Sequence, residues 1–108
     1  MKYIIFSLLL FFLAIENGIE AKNKNLGIDC TFKGKKLYGK IKVVTSFPDV
    51  KVQVVNSFPD LRVKVVDSFP DSCGRWKMVE SFADTKIQFV TGFPDVRIEY
   101  VSSSPGIK

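Results

Sequence analysis

The sequence predicts an all-β protein: a compact closed arrangement of short strands made from about six to seven eleven-residue repeats. Three observations predict it. The punctuation Ser-Phe-Pro-Asp starts at Ser46, Ser57 and Ser68, continues as Ser-Phe-Ala-Asp from Ser81 and Gly-Phe-Pro-Asp from Gly92, and decays to Ser-Ser-Pro-Gly from Ser103. The steps between these marks are 11, 11, 13, 11 and 11 residues, a period regular enough to specify an architecture. Between the marks, β-branched residues alternate with polar ones, and proline returns too often for helix.

The chain opens on a secretory-signal pattern. Lys2 supplies a short positive region, Tyr3 to Ile15 an apolar run broken only by Ser7, and a polar stretch leads to a cleavage point near Ala21. The apolar run is short of the roughly 20 residues that span a bilayer. Residues 1–21 are therefore expected to be a helical signal segment, with no transmembrane helix in the mature chain. Residues 22–28 are expected to be a flexible basic arm, and residues 29–108 a single β-repeat domain in the periplasm or outside the cell.

An exported chain meets an oxidising compartment, and a domain this small gains from a covalent staple. Cys30 and Cys73 are the only cysteines, so they are expected to pair. Asp29 to Gly39 has the repeat's length without its punctuation and is expected to be a divergent first unit or cap.

In each full unit, residues such as Val50, Val52 and Val54 should face one side of a strand, with Lys51 and Gln53 on the other. A second valine (Val44, Val55, Val66, Val79, Val90, Val101) breaks the alternation and marks a bulge, a corner or a doubly covered strand. The turn residues are Phe47, Pro48 and Asp49; Phe58, Pro59 and Asp60; Phe69, Pro70 and Asp71; Phe82 and Asp84; and Phe93, Pro94 and Asp95. Proline suits a type I turn and aspartate bonds nearby amides there. Ala83 stands where the other units have proline, so units of one geometry should all be trans. The phenylalanines recur once per unit and are expected to form a ring or ladder of core aromatics. Cys73 and Gly74 form a two-residue insertion beside the sole tryptophan, Trp76. The period alone admits an antiparallel meander, a parallel solenoid or a closed ring of short strands.

On the phrase from Lys51 to Asp60, the Cys73-Gly-Arg-Trp76 insertion and the closing Ser104-Pro-Gly106, the chain resembles short exported bacterial proteins of unknown function. Its layout over residues 37–108 is also similar to small β-repeat proteins that read Val-x-Phe-Val with Ala-Asp-x-Lys punctuation. That resemblance implies a chain wound round a compact ring into a seven-crossing torus knot, the septoil knot. It implies no reaction, cofactor or catalytic residue. Phosphogluconate dehydrogenase, a label sometimes attached to such chains, would need a Gly-x-Gly-x-x-Gly turn and βαβ units that this sequence lacks.

The residues themselves exclude most catalysis. There is no histidine, hence neither the commonest general base nor a Ser/His/Asp set, and two paired cysteines leave no zinc site. The aspartate series is expected to cap turns and pair with Lys51, Arg62, Lys86 and Arg97, two residues downstream of an aspartate in each case, rather than to bind calcium. No enzyme activity, cofactor or metal is expected. Charge is concentrated early. Lys22, Lys24, Lys33, Lys35, Lys36, Lys40 and Lys42 face Asp29 alone, whereas Val43 to Lys108 carries eight basic and eight acidic residues. Those seven lysines are the candidate polyanion contact. The expected role is a binding or interaction module for an acidic glycan, an anionic lipid surface or an envelope protein, without nucleic-acid readout. The alternative is a structural or protein-interaction element using the outward polar face (Lys51, Gln53, Lys64, Lys77, Gln88, Glu99), with the arm only a solvated leader.

Overall fold

The structure, a computed structural model, describes residues 25–107; the expected signal segment, Lys22 and Lys24 lie outside them. A short three-stranded meander comes first: β1 (Leu26–Gly27), β2 (Thr31–Phe32) and β3 (Lys35–Lys36). The repeats follow as β4 (Gly39–Val43), β5 (Val50–Val54), β6 (Leu61–Val65), β7 (Arg75–Met78), β8 (Thr85–Phe89) and β9 (Val96–Tyr100), and the two-residue β10 (Gly106–Ile107) ends the series. Among the described residues there is no helix, and every peptide bond is trans.

The six repeat strands are all parallel and close on themselves in the ring order β4-β8-β5-β9-β6-β7. Sequence neighbours are therefore mostly not spatial neighbours. The first pass lays down β4, β5 and β6; after β7, the second pass inserts β8 and β9 into the gaps left by the first. The end of β10 pairs antiparallel with Leu61 and Arg62, on the edge of β6 that β7 occupies further along at Lys64 and Val65.

Parallel strands usually need a crossover of a dozen or more residues. Six suffice at four of the five connections because each of those steps over a single strand; the fifth, 66–74, has nine residues and joins β6 to its neighbour β7. Ile87 of β8 is the partner of Val43 on one side and of Val50 on the other, so the chain leaves β4 and re-enters as β5 at the same residue of β8. The odd valine is the corner: Val44, Val55, Val79, Val90 and Val101 each donate a last ladder bond before the chain departs, to the carbonyls of Ile87, Ile98, Ile41, Val52 and Val63.

Alternation places the core. Ile41, Val50, Val52, Leu61, Val63, Trp76, Ile87, Val96 and Ile98 point inward and are fully buried. Trp76 is the bulkiest, and its indole N–H donates to the Leu37 carbonyl at 3.0 Å. The third inward position of each strand (Val43, Val54, Val65, Met78, Phe89, Tyr100) is only half-covered and rings the C-terminal rim. Cap residues close the other rim. Cys30, Phe32 and Leu37 are buried in the same cluster, Thr85 donates its hydroxyl to the Lys36 carbonyl at 2.7 Å, and Cys30 is bonded to Cys73 as expected. The divergent first unit is thus a hairpin plug with a tight Lys33-Gly34 turn, both residues at positive φ. Leu26 packs against the same core from within the stretch expected as an arm. Gly74 is required by close approach, since a Cβ there would collide with the Arg62 carbonyl and the Gly106 amide.

Candidate functional site

The turn residues reverse one expectation. Phe47, Phe58, Phe69, Phe82 and Phe93 do not form a core ladder. They are 80–98% exposed, among the most solvent-accessible apolar residues described. The backbone explains this. Each takes a left-handed φ of 52–57°, which turns the side chain away from the barrel and brings the following residue in. The inward partner is Pro59, fully buried, or the half-buried Pro48, Pro70, Ala83 and Pro94. Left-handed backbone suits glycine or asparagine, not a bulky side chain.

The aspartates reverse a second. They were expected to bond locally and to pair with basic side chains two residues on. Instead, four of them reach across the ring to backbone. The carboxylates of Asp49, Asp60, Asp84 and Asp95 accept the main-chain N–H of Lys86, Arg97, Lys40 and Lys51 at 2.7–2.8 Å. Their own N–H groups donate to the carbonyls of the same four residues at 2.7–2.8 Å. Each aspartate thus extends the ladder where the crossing strand begins, using its side chain as a second carbonyl. Asp71 makes no such bond among the described residues, and Gly106 occupies the corresponding place opposite Arg62. Gly39 must be glycine because it sits at φ +103° with the Asp84 carboxylate 2.5 Å from where a Cβ would be.

The connections run over the outside of the barrel. Val44 and Asp49 are bonded to Ile87 and Lys86, and the outward Gln88 amide donates to the Thr45 carbonyl at 3.1 Å. Gln53 makes the equivalent bond to Thr91. Two members of the expected polar face are therefore engaged in holding crossings down.

Of the candidate lysines, Lys33, Lys35, Lys36 and Lys40 are exposed around the plugged rim, and Lys42 is half-buried on β4. Lys33 lies 5.5 Å from the Phe32 ring centre and Lys36 lies 5.3 Å from that of Tyr38. Lys35 and Lys36 approach Asp49 and Asp84 at 3.8 and 3.9 Å, long contacts on partly exposed groups that contribute little to stability. A shallow cleft of about 330 Å³ beside this rim brings Lys36, Lys40 and Lys77 together with Asp71, Asp84 and Tyr38. Among the described residues no three His, Cys, Asp or Glu side chains gather as metal ligands would, and no helix is long and apolar enough to cross a membrane. Partial burial raises the Tyr100 hydroxyl above the ordinary tyrosine range.

The exposed phenylalanines were missed in the sequence, although a signal was present. They lie in the punctuation rather than in the alternating segments, and the last unit writes the same turn without one: Ser104 has φ 56°.

Comparison with known proteins agrees with this geometry. The chain is 63% identical over 68 residues to "Uncharacterized protein slr1025" of Synechocystis sp. (strain ATCC 27184 / PCC 6803 / Kazusa), a match covering 62% of this chain and 60% of that protein. It thus spans less than two thirds of that relative's length. Residues 34–108 match the 7(1) septoil knot domain, a span that takes in every barrel strand and both passes of the winding. The chain belongs to the 7(1) septoil knot domain family.

Proposed function

We propose that this protein is a non-enzymatic, exported binding module that holds an anionic polymer against the lysine-rich cap of its barrel. The observation that carries the reading is the placement of Lys33, Lys35 and Lys36, all exposed, on a hairpin anchored by the core and by the Cys30–Cys73 bond, with Lys40 exposed beside it at the start of β4. A rigid platform with clustered like charge attracts polyanions without base or sugar readout. The disulfide accords with an oxidising compartment and so with export. Lys22 and Lys24 precede the hairpin in the chain and would add to its charge.

The alternative, a structural element that binds protein through its outward polar face, loses ground to the two engaged glutamines, Gln53 and Gln88. The test is binding to an acidic polysaccharide at low and high salt, comparing the wild type with Lys33→Glu/Lys35→Glu/Lys36→Glu. Binding that falls with salt and is lost in the triple variant supports the cap. Binding that survives both, and fails instead on Lys64→Glu, supports the outward face.

A further inference from the structure

The connections carry their phenylalanines in a defined circular order. The connection 79–84 crosses β4, 44–49 crosses β8, 90–95 crosses β5 and 55–60 crosses β9. Those four strands are consecutive in the ring. Phe82, Phe47, Phe93 and Phe58 therefore stand side by side along one arc of the barrel wall, each 89–98% exposed. The arc stops at β6, where the crossing connection carries Ser104 instead.

Each strand under the arc also carries an exposed basic residue at its second position: Lys40, Lys86, Lys51 and Arg97. The carboxylates nearest in the fold, Asp84, Asp49, Asp95 and Asp60, are bonded to the main-chain amides of those same four residues. The arc thus presents aromatic tips and cations outward, with its four carboxylates, still charged, held beside them by the ladder. The preference for anionic partners comes from the whole chain, whose net charge is +5.

Folding does not call for this. Ser104 makes the same left-handed turn, so the backbone has no need of phenylalanine, and an aromatic side chain in water at a left-handed position serves no packing. Exposed aromatics interleaved with cations are the composition of protein surfaces that sit in the headgroup layer of a bilayer. From this arc we infer that the protein docks on anionic lipid membranes, inserting the phenylalanine tips between headgroups while Lys40, Lys51, Lys86 and Arg97 neutralise lipid phosphates. This surface shares Lys40 with the lysine-rich cap, but its phenylalanine tips lie outside the cap and are tested separately from it. A second copy of the chain is a weaker occupant, because each chain carries a net charge of +5 and two copies repel.

The test uses the chain from Lys22 on, which holds every described residue, with vesicles of phosphatidylglycerol and phosphatidylcholine at 1:3 and of phosphatidylcholine alone. Co-sedimentation should favour the anionic vesicles and weaken with salt. Phe47→Ser/Phe93→Ser, which removes two adjacent tips and copies the residue found at 104, should keep the melting temperature and lower the partition coefficient by about tenfold for each tip engaged. Phe47→Trp should show a blue-shifted emission with vesicles, against the constant background of buried Trp76. Lys33→Glu/Lys35→Glu/Lys36→Glu, which disables the cap, should leave that blue shift in place. No binding to anionic vesicles overturns the inference, as does full binding by the Phe→Ser double variant. It is also overturned if the wild type is an oligomer that the double variant dissolves, for then the tips serve contacts between copies.

Discussion

Asp49 and Lys86, 37 residues apart, are joined by two hydrogen bonds of 2.8 Å, one from the aspartate N–H to the lysine carbonyl and one from the lysine N–H to the aspartate carboxylate. Each repeat is thereby locked to a strand from the other pass of the winding. Asp49→Ala leaves the Lys86 amide without its acceptor and is expected to cost about 1–3 kcal/mol. Asp49→Asn keeps an acceptor and should cost less. Asp60→Ala and Asp84→Ala should behave alike, and Asp71→Ala should be milder. Guanidinium titrations of the five variants measure the order.

Replacing an exposed phenylalanine should separate the two accounts of the punctuation. Phe47→Ser is expected to change stability by no more than about 0.5 kcal/mol, as for other surface sites. A core aromatic would cost about 3–5 kcal/mol. A thermal melt distinguishes values so far apart.

Trp76→Phe removes the indole N–H that meets the Leu37 carbonyl and leaves a void in the core beside the cap. The expected loss is about 0.5–1.5 kcal/mol for the hydrogen bond alone, because the Leu37 carbonyl keeps the Gly74 N–H at 3.3 Å. Urea unfolding followed by far-ultraviolet circular dichroism reads it without relying on the lost fluorophore.

Reducing the Cys30–Cys73 bond, which closes a loop of sequence separation 43, should lower stability by about 4 kcal/mol in the chain-entropy account. Much of the effect should fall on the cap, because Cys30, Phe32 and Leu37 share one buried cluster. Hydrogen exchange with and without reductant tests this. Amides near Leu37 should lose protection first.

Gly39→Ala should be among the worst single-methyl changes in the chain. It meets both the left-handed backbone and the Asp84 carboxylate, and an expected loss of about 2 kcal/mol or more follows from strain of that kind. Poor recovery of folded protein beside a well-behaved Gly92→Ala, where nothing lies within 4 Å, would bear it out.

Strand identity was legible because alternation is a local property: Val50 and Val52 point inward as their spacing implies, and Val44 marks a corner because it breaks the rhythm. The disulfide was legible because only one pairing exists. Three features were not. Period cannot tell parallel from antiparallel, since the partner of Val50 is Ile87 and no local pattern records that distance. Burial of phenylalanine was inferred from its apolarity, whereas its place before proline in a left-handed turn decides the direction of its side chain. The aspartates misled for a related reason. A residue that caps turns elsewhere has here been given a partner on the far pass.

The winding has a mechanical consequence. β4, the first strand laid down, lies beneath the connection 79–84, which is pinned to it through Val79, Asp84 and the Lys40 amide. A pull on the N-terminal side draws β4 against a segment that follows it by some forty residues, and the Cys30–Cys73 bond passes that load directly to β7. Tension on that side therefore loads the crossing instead of peeling β4 away. A machine that degrades proteins by drawing in a terminus would meet this covered strand when it pulls from the N-terminal side, and the two-residue β10 when it pulls from the other.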